Sequence, residues 1–448
     1  MKLSPRLLLL LVIPFAIVSV LATRPGAATI TLRPEQTFQT MSGWEAIADM
    51  TPDPSHPWWE GHAEQALDLA VASGINRIRL PIKSGAETRS QIMTRHASGD
   101  VGAAAYSPAR YTPENDNDDP FVIDPSGFDF GELDWLIKTS VLPLRQRLAA
   151  RGERLWINLN YVSFHPVRTF QMSAEEYAEL MLAVFQHMQD SYGILPDSIE
   201  MILEPDNSKQ GWNGTLIGQA MVATAKRLQD NGFEVPQFVA PSVMNMANAV
   251  TFVNGIIRVP GARDLLDEIS YHRYGSKSPR VLKGIADAAA GLGIRSAMLE
   301  LWFGAATYHV LLEDLTIGNA SAFQGRALHG LYVDPKGGQG NLRLSEDVRY
   351  NVQFYRSVRM GAVRIGADTT DPGQFDPVAF VNPTGKQVVV VVADAAGAVT
   401  VEGLDPGTYG LSYAIAGKSA TLPDITLATN APLVVDMPGK GVLTIEGK

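Results

Sequence analysis

IEMILEPDNS, residues 199–208, decides how the chain is read. An apolar run broken only by Glu200 stops at Glu204, and Pro205 behind it has no N–H to continue a ladder. A short apolar run of this kind reads as a strand buried on both faces, as in a parallel sheet. The carboxylate at its C-terminal tip is either an ordinary turn residue or a reactive group held at the rim of a sheet.

On both sides of this stretch, apolar runs of about five residues alternate with amphipathic segments of helical period, the pattern of βα units. Strands are expected at 38–46, 75–82, 154–161, 199–203, 237–243, 267–275, 295–304 and 318–328. Helices are expected between them, and one more at 346–359 follows the last strand. Gly74 closes the first helix, Ser173 and Glu176 form a capping box for another, and Pro143 kinks or splits a third. The segment between Lys83 and Phe128 is long, polar and irregular, and is expected to shape one side of a cleft. Eight such strands predict a (β/α)8 TIM barrel over residues 29–360. The alternative, an open doubly wound sheet, lacks a glycine-rich phosphate loop. From residue 361 the helical period vanishes, and short strands separated by turn clusters run to residue 448, predicting a C-terminal β-sandwich that residues 29–34 can join.

Composition bounds the function. The 448 residues are 46% hydrophobic and 19% charged, with net charge −10, which argues against nucleic acid as a partner. Without cysteine there is no disulfide, thiolate metal site or cysteine nucleophile. Residues 1–28 run from basic (Lys2, Arg6) through apolar (7–22) to small, the order of a signal peptide cleaved after residue 22 or 28. The expected location is secreted or periplasmic; an uncleaved membrane anchor is the alternative, though the run is slightly short for a span.

A barrel places its chemistry at the C-terminal ends of its strands. Glu204 ends the fourth strand, and Glu300 lies on the seventh, three βα units later. Two glutamates at a barrel mouth suit glycoside hydrolysis: one protonates the leaving oxygen while the other attacks the anomeric carbon or activates water, according to their separation. Arg79 and His272 are placed to keep the nucleophile ionised, and Tyr274 to hydrogen-bond it. Trp44, Trp58, Trp59, Trp212 and Trp302 are candidate platforms for sugar rings. No His-x-His or His-Glu-x-x-His spacing suggests a metal, no Gly-x-Ser-x-Gly turn suggests a serine nucleophile, and no cofactor is expected.

Residues 177–205 resemble the helix and strand leading to the acid/base of clan A glycoside hydrolases, most closely glycoside hydrolase family 30. ISYHRYG (269–275) and AMLELWFG (297–304) resemble that family's sixth and seventh strands, and residues 350–367, 378–394 and 404–413 resemble its passage into a side sandwich. The resemblance implies Glu204 as acid/base, Glu300 as nucleophile, and retention of configuration. One position departs: Leu203 stands where the family carries the Asn that holds the sugar 2-hydroxyl, so either the substrate has no hydroxyl to hold there, or another donor does so (Asn207 and Asn160 are candidates), or the enzyme has diverged. The expected function is a secreted retaining β-glycosidase with a carbohydrate substrate. A carbohydrate-binding barrel without catalysis and a barrel hydrolase of other chemistry are the competing readings.

Overall fold

The computed structural model describes residues 27–49, 58–302, 304–333 and 342–448, except for the side chains at 58–61. The expected signal peptide up to residue 26, and the side chains of Trp58 and Trp59, therefore lie outside the described residues. Among those described, no helix is long and apolar enough to cross a membrane.

The first strand, β1 (Ala28–Thr40), belongs to the second domain. The barrel follows as β2 (Gly43–Ile47), β3 (Arg77–Lys83), β4 (Trp156–Val162), β5 (Ser198–Glu200), β6 (Gln237–Asn245), β7 (Leu266–Gly275), β8 (Arg295–Glu300) and β9 (Ala320–Ala327). Each strand pairs in parallel with the next, and β2 also pairs with β9. That closure rules out the open sheet. The strand expected at 38–46 is in fact two: 38–40 end β1, and the barrel begins at Gly43. There φ is +137°, and a Cβ would lie 2.9 Å from Arg77 Cβ, so only glycine fits.

Alternation in β3 divides its side chains between two environments. Ile78, Leu80 and Ile82 join the apolar layer between barrel and helices. Arg77 and Arg79 point into the barrel, where carboxylates from other strands meet them. Pro143 does split its helix: Gly131–Leu136 is joined through a π-turn at Ile137–Val141 to Leu142–Ala149, with the proline in the first turn of the second part. The capping box does not form. Ser173 occupies the N-cap position, but its hydroxyl makes no cap bond. Glu176 turns instead toward Asn115 and Glu179.

A small ladder of β10 (Tyr332–Val333) and β11 (Arg343–Leu344) precedes the second domain. That domain comprises β12 (Val363–Thr369), β13 (Phe375–Val381), β14 (Gln387–Ala393), β15 (Gly397–Glu402), β16 (Gly407–Ile415), β17 (Lys418–Leu427), β18 (Leu433–Met437) and β19 (Gly441–Gly447). With β1 lodged between β12 and β15, they form one nine-stranded sheet folded over its own apolar core. The run QVVVVVA of β14 is apolar throughout because both of its faces are covered. Val389, Val391 and Ala393 face the sandwich core, while Val388, Val390 and Val392 pack into the core shared with the barrel.

Arg77, fully buried, is held by Glu45 at 2.6 Å and Glu268 at 2.7 Å. Glu268→Gln leaves this guanidinium short of countercharge without access to water. It is expected to cost about 3–5 kcal/mol, read as a lower midpoint in urea unfolding.

Candidate active site

The ladder part of β5 is only three residues long, yet the chain beyond it stays anchored. The N–H groups of Met201, Leu203 and Glu204 donate to the carbonyls of Val239, Tyr161 and Ser242 at 3.0, 2.9 and 3.0 Å. Glu204 itself adopts φ +48°, a left-handed conformation costing a non-glycine residue about 1–3 kcal/mol. Its carbonyl accepts from the N–H groups of Asn207 and Ser208, so the chain turns immediately after it. Strain at this residue, enforced by bonds on both sides, aims the carboxylate into the barrel mouth.

Glu300 is aimed by a different device. Along β8 and β7, Met298 pairs with Tyr271, but the next pair is Glu300 with His272. Two residues of β8 are thus taken up against one of β7, which is a bulge. Regular alternation would put Glu300 on the side of Met298, among the helices. The bulge turns it inward beside His272.

All four carboxylate oxygens of the pair hold donors. Glu204 Oε1 shares a hydrogen bond with His272 Nδ1 at 3.0 Å, and Asn207 Nδ2 donates to Oε2 at 2.9 Å. Glu300 Oε2 is bound by the Arg79 guanidinium. The Tyr274 hydroxyl donates to Glu300 Oε1 at 3.0 Å while accepting from the Trp302 N–H at 3.2 Å. Burial alone would raise the Glu300 carboxyl, but Arg79, His272 and the hydrogen bonds from Arg79 and Tyr274 outweigh it and hold the group below its ordinary value. One carboxylate oxygen of each glutamate and a His272 nitrogen lie within 4.8 Å of one another. That triangle has metal-ligand residue types, but a guanidinium already occupies Glu300, which suits an anion kept free for chemistry rather than a cation site.

The two glutamates open onto a cleft of about 350 Å³. Arg79, Asn160, Leu203 and Trp302 line it with them, while His272, Tyr274 and Asn207 act through the carboxylates they bond. Two tryptophans require correction. Trp44 is fully buried, stacks on Tyr355, and donates to the Val358 carbonyl at 2.6 Å. Trp212 is also buried, edge-on to Tyr161 and Tyr177, with its N–H on Gln210. Neither reaches the cleft, since both indoles are consumed by packing. The aromatic walls that sequence reasoning missed are Tyr106, Tyr111, Trp135 and Phe164. Phe164 lies just past the end of β4, where the strand-end rule that found Glu204 could have found it. Tyr106 and Tyr111 belong to the long irregular segment, which supplies one side of the cleft together with Met93, His96 and Arg110.

Residues 361–421 match the family model described as the glycosyl hydrolase family 30 beta sandwich domain. Among curated proteins none matches by sequence. Among solved structures the chain is similar to the catalytic domain of GH30 xylanase C from Talaromyces cellulolyticus, with TM-score 0.67 and 16% identity over 94% of this chain and 100% of that one. It is also similar to a GH30 endoxylanase from Clostridium papyrosolvens C71, with TM-score 0.66 and 15% identity over 94% and 100%. An endo-beta1,6-glucanase gives TM-score 0.64 and 15% identity, with 94% of each chain covered. Barrel and side sandwich together give this chain the fold of these solved GH30 structures, and the family-model match falls within the sandwich.

Proposed function

We propose that the chain is an exported, retaining β-glycoside hydrolase acting on a polysaccharide or glycoconjugate, with Glu300 as nucleophile and Glu204 as acid/base. The supporting observation is the paired glutamates in one cleft, their nearest oxygens within 4.8 Å, with opposite kinds of partner. Arg79 and Tyr274 favour an ionised Glu300, which attacks the anomeric carbon as the bond to the leaving oxygen breaks. Glu204 gives that oxygen its proton, then takes one from water as the water displaces Glu300. Oxygens this close suit double displacement, whose carboxyl groups stand roughly 5–5.5 Å apart, better than inversion, which leaves roughly 6.5–9.5 Å for a water. Export rests on the basic, apolar and small order of residues 1–28, and N-terminal sequencing of the exported protein tests it.

The activities named for the structural neighbours put β-linked xylan and β-1,6-glucan first on a substrate panel. Sugar release by the wild type is expected to fall by orders of magnitude in Glu300→Gln. In Glu204→Gln it is expected to fall about 10²–10⁴-fold, with less loss on aryl glycosides whose leaving group needs no proton. The first product should carry the substrate's anomeric configuration by NMR. Activity surviving Glu300→Gln removes the nucleophile assignment. Binding without turnover, unchanged in Glu300→Gln, selects the carbohydrate-binding reading.

Leu203 cannot hold a sugar hydroxyl. Asn160, fully buried on the neighbouring strand β4, lines the cleft with its Oδ1 unpartnered, and we assign it the 2-hydroxyl. Asn160→Ala is expected to lower kcat/KM by about 10²-fold or more, since this contact contributes to the several kcal/mol gained in the transition state, with little change in melting temperature.

Because its carboxyl is depressed, Glu300 stays ionised below the ordinary glutamate value of about 4.3. Its interactions stabilise the fold above that pH, and this contribution is lost as pH falls through the lower folded value. The acid limb of kcat/KM is therefore expected below pH of about 4.3. Arg79→Met should move it upward, and Tyr274→Phe should do so by less.

A further inference from the structure

A second group of buried acids lies behind the cleft wall. Glu87 follows the short turn Ser84–Ala86 at the end of β3, Asp116 comes from the long segment after it, and Glu179 lies on the helix Ala174–Tyr192. One carboxylate oxygen of each lies within 4.8 Å of the others. Glu87 and Glu179 have no exposed surface, and Asp116 has 4%. Some oxygens are satisfied: Gln171 Nε2 donates to Glu87 Oε2 at 2.7 Å, the Asp116 N–H reaches Glu87 Oε1 at 3.4 Å, and the Asp124 N–H donates to Asp116 Oδ2 at 2.6 Å. The others have no hydrogen-bond partner: both oxygens of Glu179, Asp116 Oδ1, and Glu176 Oε2 one turn earlier on the helix. Asn115 Oδ1 beside them is also buried and unpartnered. Two nearby cations are engaged elsewhere: Arg227 with the Pro120 carbonyl at 2.6 Å and Glu175 at 3.3 Å, and Arg89 with Asp124 at 2.8 Å and the backbone carbonyl of Asp116.

Burying several carboxylates without donors is costly unless they keep protons or share a cation. Oxygens around calcium sit about 2.3–2.6 Å from the ion, so opposite ligands are up to about 5 Å apart. The spacing here meets that without rearrangement. We propose that Glu87, Asp116 and Glu179, with Glu176 and the Asn115 side-chain Oδ1 at the edge, bind a structural divalent cation of the calcium type. The ion would join the cleft-forming segment after β3 to the helix after β4. Gly127 already presses that segment together, since a Cβ there would stand 2.2 Å from Asp116 Cβ. The site is independent of the glycosidase reading.

The test uses the full chain stripped with EGTA, followed by calorimetric titration and thermal unfolding with calcium or magnesium. Calcium is expected to bind one ion per chain and raise the melting temperature by several degrees, with magnesium giving less. Glu179→Gln should lose at least about tenfold in calcium affinity. In EGTA it should be as stable as wild type or more so, because a repelling charge has gone. If that variant does not fold, Asp116→Asn serves in its place. No heat and no thermal shift with millimolar calcium overturns the site in favour of shared protons. A full calcium response in the variant overturns the ligand assignment, and an equal response to magnesium overturns the calcium type.

Discussion

A guanidinium keeps its proton at any pH the protein meets, so once Arg77 and Arg79 are sealed inside the barrel, carboxylates must be brought to them. Both are essentially without solvent access. They sit two residues apart on β3 and organise two successive layers. In one layer Arg77 is bound by Glu45 and Glu268. In the other Arg79 takes Glu300 closely and Glu200 at 3.8 Å. The first layer is closed on every side. The second borders the cleft, and Glu300 keeps a small exposed surface there. One device thus serves as a strut at one level and, one turn of the pleat higher, as the holder of an ionised carboxylate. The desolvation cost of such pairs is met only with good geometry, which is why neighbouring residues supply further hydrogen bonds, such as Ser42 to Glu268 and Tyr274 to Glu300.

Strand order and barrel closure followed from hydrophobic period, because a strand covered on both faces leaves an unbroken apolar run. Facing was less legible. Glu300 was found by its place at a strand tip, whereas strict alternation in AMLELW would have turned it away from the cleft. The bulge that reverses it depends on pairing with β7 and leaves no local mark. Glu204 carries a similar hidden instruction, since nothing in LEP states that the glutamate will be left-handed. Trp44 and Trp212 show the converse error. An indole's residue type suits a sugar platform or a core equally, and burial, which is a tertiary property, decides.

The acidic group around Glu179 was invisible for another reason. Its members are spread over residues 87–179, two on the long segment after β3 and one on the helix after β4, without the fixed spacing that marks a metal loop. Its one local trace was misread: Ser173 and Glu176 have the spacing of a capping box, yet the serine makes no cap bond and the glutamate faces Glu179 and Asn115. A helix that gives up a cap bond while its first-turn acid faces other acids has a competing use for that acid.

The sandwich is more than an appendage, because the chain enters it before building the barrel. β1 pairs with β12 on one side and β15 on the other, so Ile30 lies against Thr369 and Val401. The whole barrel is therefore inserted between the first strand of the sandwich and the rest. Loop-closure entropy makes such remote pairing slow to form alone, and a formed barrel removes that cost by bringing its own ends together. The seam shows this directly: the Met41 N–H donates to the Ala362 carbonyl, and the Gly361 N–H returns to Met41, each at 2.8 Å. These bonds sit where β2 starts, next to the β2–β9 closure of the barrel. The two-sided burial of β14 then seals the sandwich against the barrel's helices. Each domain thus supplies a condition for the other: the barrel positions the two halves of the sandwich, and the sandwich clamps the ends of the chain from which the barrel closes.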